Sequence, residues 1–175
     1  MRFFFSDTFN VIASSEASET DIPLLTGRLI DPDPASQKTF TLAKGWLNDC
    51  MSAHKACTDD TDGTGPVTPT RLVEIGTGAA FNDMRIIETR GGTIPYAYLS
   101  HVWGSAIPWT LRKQNYDEVL SGRLSLEDMT TTVADAISIV RSCGLRYIWV
   151  DSLCIIQDCP EDWEREASRI PDYSQ

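Results

Sequence analysis

The chain has 175 residues, 42% apolar and 23% charged, which is enough for one domain and too little for two well-formed ones. Fifteen Lys and Arg against 25 Asp and Glu give a net charge of −10. That balance argues against binding nucleic acid or an anionic membrane through general electrostatics.

The chain opens Met1-Arg2-Phe3-Phe4-Phe5-Ser6-Asp7. Three apolar residues do not make the core of a secretory signal, so the expectation is a protein that is not exported. The five cysteines, an odd number without an export signal, are then expected as reduced thiols in the cytoplasm. Residues 6–36 are rich in Ser, Thr, Asp, Glu and Pro, and Asp31-Pro32-Asp33-Pro34 disfavours helix before each proline. Residues 1–35 are therefore expected as a flexible arm, with one short extended piece at 27–30.

Residues 36–57 read as a helix capped by Ser36, with Phe40, Ala43, Leu47, Cys50, His54 and Cys57 at helical spacing and Trp46 beside that stripe. A Thr-, Asp- and Gly-rich loop follows. Short strands are expected at 71–75, 84–88 and 96–100, the third ending in His101-Val102-Trp103-Gly104. A short helix is expected near 114–120. A longer one starts at Thr130 or Thr131, with Val133, Ala136, Ile137 and Val140 inward and Gly144 at its left-handed end. The run from Leu145 to Asp151 suits a strand buried on both faces of a parallel sheet. The stretch 147–156 is interrupted by Asp151 and too short to span a membrane. The segment 161–169 reads as a last helix, acidic first and basic last, with Pro171 ending it and with Glu164 and Glu166 facing water.

Strand, helix and buried strand in succession indicate an open α/β sheet, and such sheets bind ligands at the carboxyl ends of their strands. Two strand ends qualify, at 100–104 and 151–158. Trp103 offers a stacking face and Gly104 a tight turn. Asp151 either holds a ligand hydroxyl or caps its own strand by pairing with Arg146 or a backbone N–H. Ser100, His101 and Asp151 superficially resemble a hydrolytic triad, but no Gly-x-Ser-x-Gly elbow accompanies them. Cys154 reads as a buried structural thiol. Gly76-x-Gly78 is too short to cradle a phosphate. Cys50, His54 and Cys57 share one helical face and carry zinc-ligand chemistry, although three ligands fall short of a structural site and disfavour zinc.

Longer words carry a resemblance. Tyr96-Ala97-Tyr98-Leu99-Ser100-His101-Val102-Trp103-Gly104 resembles the first signature block of the fungal heterokaryon-incompatibility (HET) domain. Asp135-Ala136-Ile137, with the run from Cys143 through Tyr147-Ile148-Trp149-Val150-Asp151-Ser152 to Asp158, resembles its second block, and Asp162-Trp163-Glu164-Arg165-Glu166 the helix after it. The resemblance is strong over 96–170 and loose over 40–95. It divides the chain into the arm 1–35, a leader 36–92 with one helix and short strands, and the N-terminal part of a HET domain at 93–175. It implies a TIR-like, flavodoxin-like open parallel sheet with flanking helices, here incomplete because the family's third, Trp-Thr-x-Gln-Glu-like word does not occur before Gln175.

The function so implied is fungal self/non-self recognition and programmed cell death, exerted by a truncated form through association with other HET or incompatibility proteins or with itself, without nucleic acid. Two alternatives remain beside it. One is TIR-like NAD+ hydrolysis or nucleotide binding, with Ser100, His101, Trp103, Gly104, Asp151 and Asp158 at the ligand. The glutamate expected to catalyse such a reaction belongs to the missing word, which weighs against an enzyme. The other is a zinc-supported adaptor on Cys50, His54 and Cys57, or a degenerate gene product.

Overall fold

A computed structural model describes residues 31–53, 67–76, 84–104, 109–122 and 124–173. Among these, four strands form one sheet: β1 (Arg71–Glu74), β2 (Arg85–Glu88), β3 (Ala97–Leu99) and β4 (Tyr147–Val150). Their order is β2-β1-β4-β3. The helices are α1 (Gln37–Ala53), α2 (Tyr116–Ser121), α3 (Thr131–Ser142), the single turn α4 (Asp151–Cys154), α5 (Pro160–Ser168) and the short α6 (Ile170–Tyr173). Single 3-10 turns at Lys113–Asn115 and Leu126–Asp128 punctuate the connection between β3 and α3.

The expected parallel sheet is a mixed one. β3 and β4 are parallel, with Tyr98 beside Trp149 and Leu99 beside Val150. The long connection through α3 makes that possible, as a parallel crossover requires. β1 is antiparallel to both β2 and β4. The connection 75–84 is shorter than the dozen or so residues a crossover needs, so β1 and β2 can only pair head to tail. β1 is nevertheless interior and buried along its whole length. The sheet therefore draws strands from both sides of position 92.

Local signals behave as their chemistry demands. Ser36 Oγ accepts from Thr39 N at 3.1 Å, which caps α1, and α1 turns Leu47 inward while Trp46 stays 58% exposed. Thr130 caps α3 through Val133 N, and Val133, Ile137 and Val140 are buried. Gly144 takes φ +84°, the left-handed residue that ends this helix. The chain after Val150 turns at once into α4 instead of prolonging the strand. Pro160 opens α5, where its missing N–H costs nothing. Pro171 does not stop the helical chain: it falls inside α6, whose Tyr173 packs under the sheet.

The core gathers Leu72, Val73, Ile75, Met84 and Ile86 from the antiparallel half, Val133 and Ile137 from α3, and Ile148, Trp149, Val150 and Leu153 from the β4–α4 stretch. Tyr98 stacks on Trp149 with centroids 4.8 Å apart and planes 6° from parallel, and Tyr173 meets Trp149 at 55°. No helix among the described residues is long and apolar enough to cross a membrane.

Candidate functional site

The parallel pair places its two carboxyl ends side by side. Leu99 and Val150 are register partners, so Ser100 to Gly104 and Asp151 to Ser152 leave the sheet at the same level. The two segments are joined by Trp103, whose indole Nε1 donates to Asp151 Oδ2 at 2.8 Å. The other oxygen, Asp151 Oδ1, accepts from the Ser152 backbone N at 2.7 Å. Asp151, the first residue of α4, thus accepts from an N–H of that turn and from the indole of Trp103; the contact with Arg146 does not form, because Arg146 instead pairs with Glu74 on β1. Gly104 has φ +69°, and a Cβ there would meet nothing among the described residues, so it is the backbone conformation that favours glycine at this position.

His101 stands in the chain between the end of β3 and Trp103. Both of its ring nitrogens are buried and have no hydrogen-bond partner among the described residues. Ser152 is fully buried and its hydroxyl is likewise without one. Buried polar atoms are nearly always paired, so two such side chains at one strand end mark a place of unmet hydrogen bonding. Ser100 and Val102 point outward, Val102 being 92% exposed.

Asp158 serves a neighbouring task. Its carboxylate accepts from Lys113 N at 2.8 Å. With Leu111 N on Ser152 O and Gln157 N on Leu111 O, it docks the segment 109–115 along the chain that follows β4. Gln157 Nε2 also donates to Asp151 O at 3.1 Å, tying that segment back to the strand end. Of the metal candidates, Cys50 lies on α1, while His54 and Cys57 lie outside the described residues.

A second polar cluster sits below the sheet, and the sequence reading passed over it. Arg71 of β1, 3% exposed, pairs with Asp162 of α5 and donates from Nε to Cys154 O at 2.7 Å. Asp162 also accepts from Ile156 N at 2.8 Å and from the Arg165 guanidinium. Glu166, expected in water, has no exposed surface. It accepts from Thr70 Oγ1 at 2.6 Å and Tyr173 OH at 2.8 Å. Burial alone would lift the Asp162 carboxyl, but the Arg71 hydrogen bond, the Ile156 N–H and the charges of Arg71 and Arg165 hold it below the ordinary range. Burial and the bond to Glu166 push the Tyr173 phenol well up. The available signal was the i, i+4 spacing of Asp162 and Glu166, which puts both carboxylates on one helical face. Glu164, on another face, is exposed as expected.

The fold and its strand ends define an α/β domain with one parallel crossover unit, extended on its other side by an antiparallel pair. Residues 96–174 match the family model described as Heterokaryon incompatibility protein (HET). Searches among curated proteins and among solved structures return no match.

Proposed function

We propose that this chain serves fungal self/non-self recognition, in which fusion of incompatible cells leads to growth arrest or programmed cell death, and that it acts in the cytoplasm by protein association. The observation that carries this reading is the HET match over residues 96–174. Its partners are other incompatibility proteins or further copies of the same chain. Trp46 and Trp163 stand more than half exposed, and exposed aromatic side chains are the kind that anchor protein interfaces. Expression of the chain beside a full-length HET protein in fungal cells tests it: the frequency of cell death should change, and Trp163→Ala should reduce the change. Death at the control frequency would reject the reading.

The strand-end arrangement favours a second reading, a TIR-like nucleotide site that binds or cleaves NAD+. The β3–α3–β4 crossover supports it, since its strand ends carry Trp103 for stacking and Asp151 for a hydroxyl. Purified chain should then release nicotinamide from NAD+ or bind it, and Asp151→Ala should abolish either. Release that is insensitive to Asp151→Ala would remove these residues from the reaction.

A further inference from the structure

We infer that this chain joins further copies of itself head to tail, an arginine corner at the end of β1 in one copy taking the acidic outer face of α5 in the next. The inference rests on the association reading above and gives that association its two surfaces. The corner is built on a shared carboxylate. Glu74, the last residue of β1, lies between Arg85 of β2 and Arg146, which precedes β4, and both guanidiniums pair with it. One carboxylate balances only one of the two. Both arginine side chains stay more than half exposed, at 56% and 55%. Exposed Lys44 of α1 reaches to Gly144, two residues before Arg146, and adds a further cation. Among the described residues this corner reverses the sign of a chain whose net charge is −10.

The complement lies on α5. Residues 151–175 carry seven acids and two bases. α5 turns Asp162 and Glu166 inward, and Arg165 folds back onto both. Glu161 and Glu164 are left exposed, with Trp163 53% exposed beside them. A guanidinium holds a carboxylate at its edge and an aromatic ring on its flat face, so this set fits the corner in kind as well as in charge.

Placement decides the symmetry. The Arg71–Asp162 pair fixes α5 at the start of β1. Glu74 is three residues further on, about 10 Å along the strand, and alternation turns its side chain to the opposite face from Arg71. The two patches of one copy therefore cannot meet. A two-fold pair would need both on one side of the molecule, so contact between copies joins unlike surfaces and leaves one of each kind open at the ends of a row.

Sedimentation velocity of the purified full chain at rising concentration tests this. The mean sedimentation coefficient should climb without stopping at a dimer. Glu161→Lys with Glu164→Lys should weaken association at least about tenfold, and so should Arg85→Glu with Arg146→Glu. An equimolar mixture of the two double variants should form a dimer and nothing larger, because it holds one working corner and one working face per pair. Should the arginine variant fail to fold, the α5 variant mixed with unaltered chain serves instead: it should cap the rows and lower their mean size. A chain that stays monomeric at every concentration, variants that associate like the unaltered chain, or a mixture that grows beyond the dimer would each overturn the inference. Self-association without a change in cell death would keep it and reject the death reading. A change in cell death by a monomeric chain would do the reverse and leave other incompatibility proteins as the partners.

Discussion

Replacing Asp162 by alanine should be among the most damaging single changes in this chain. The side chains of Arg71 and Asp162 are 3% and 4% exposed, so the variant leaves a guanidinium in the core without its paired carboxylate, held by the Cys154 carbonyl, the Tyr116 ring 6.0 Å away and the more distant charge of Glu166. Arginine cannot escape by losing its proton. Breaking a buried pair from one side costs about 3–5 kcal/mol. The Ile156 N–H also loses its acceptor. The Arg165 contact adds little, because that side chain is half exposed and such pairs contribute at most about 1 kcal/mol. Against a total of about 5–15 kcal/mol for a domain, the loss is a large share. In urea, with a slope near about 2 kcal/mol per molar, the midpoint should fall by about 2 M. The double variant Arg71→Met, Asp162→Leu removes both charges and should regain much of the loss. A shift below about 0.5 M for Asp162→Ala, or a double variant no better than the single one, would refute the claim that an unpaired buried charge sets the cost.

The same carboxylate gives the stability a sign in pH. Its folded value lies below its unfolded one despite burial, owing to Arg71, Ile156 N and Arg165, and Glu74 is lowered in the same way by Arg85 and Arg146. Their contribution is complete above the unfolded carboxylate value near about 4 and is lost as pH falls through the depressed folded values. Through these two carboxylates urea midpoints should decline as pH falls into the acid range, with a shallower decline in Asp162→Ala; an unchanged slope would contradict this. Trp149→Ala, which empties a site 1% exposed and removes the stack with Tyr98, should cost about 3–5 kcal/mol by chemical denaturation, and less than about 1 kcal/mol would show that the core closes without it. Burial pushes the Cys154 thiol up to about 12, so a thiol reagent at pH 8 should label half-buried Cys159 first and reach Cys154 only on unfolding; early labelling of Cys154, read by mass spectrometry, would disprove its enclosure.

Much of this fold is legible in the sequence because its signals are local. Ser36, Thr130 and Gly144 mark helix ends through bonds to residues a turn away. The apolar spacing of Val133, Ile137 and Val140 names the buried face of α3 without reference to the rest of the chain. Strand direction is different in kind. Nothing within Arg71–Glu74 says that it runs against β4, because direction depends on partners more than seventy residues away. The site divides on the same line. The resemblance and the strand-end rule brought Trp103 and Asp151 under consideration, and the structure joins them by a hydrogen bond. Ser152 carried no sign of its own, since its interest comes from complete enclosure. Glu166 was misplaced for a related reason: a helix with mostly charged residues reads as solvated, and only the arrival of Thr70 and Tyr173 makes a buried carboxylate tolerable.

The interior place of β1 bears on how such a domain passes between proteins. The strand lies outside the residues matched to the HET family, yet it separates β2 from β4 and supplies the arginine that neutralises Asp162. A segment cut at residue 96 and joined to a new neighbour would carry the acid without its counter-charge and the β4 ladder without its second partner. Any host sequence must then furnish an antiparallel strand with a cation at the matching position. Chains sharing this segment should accordingly keep a short β-arginine word upstream even where everything between the two has diverged in length.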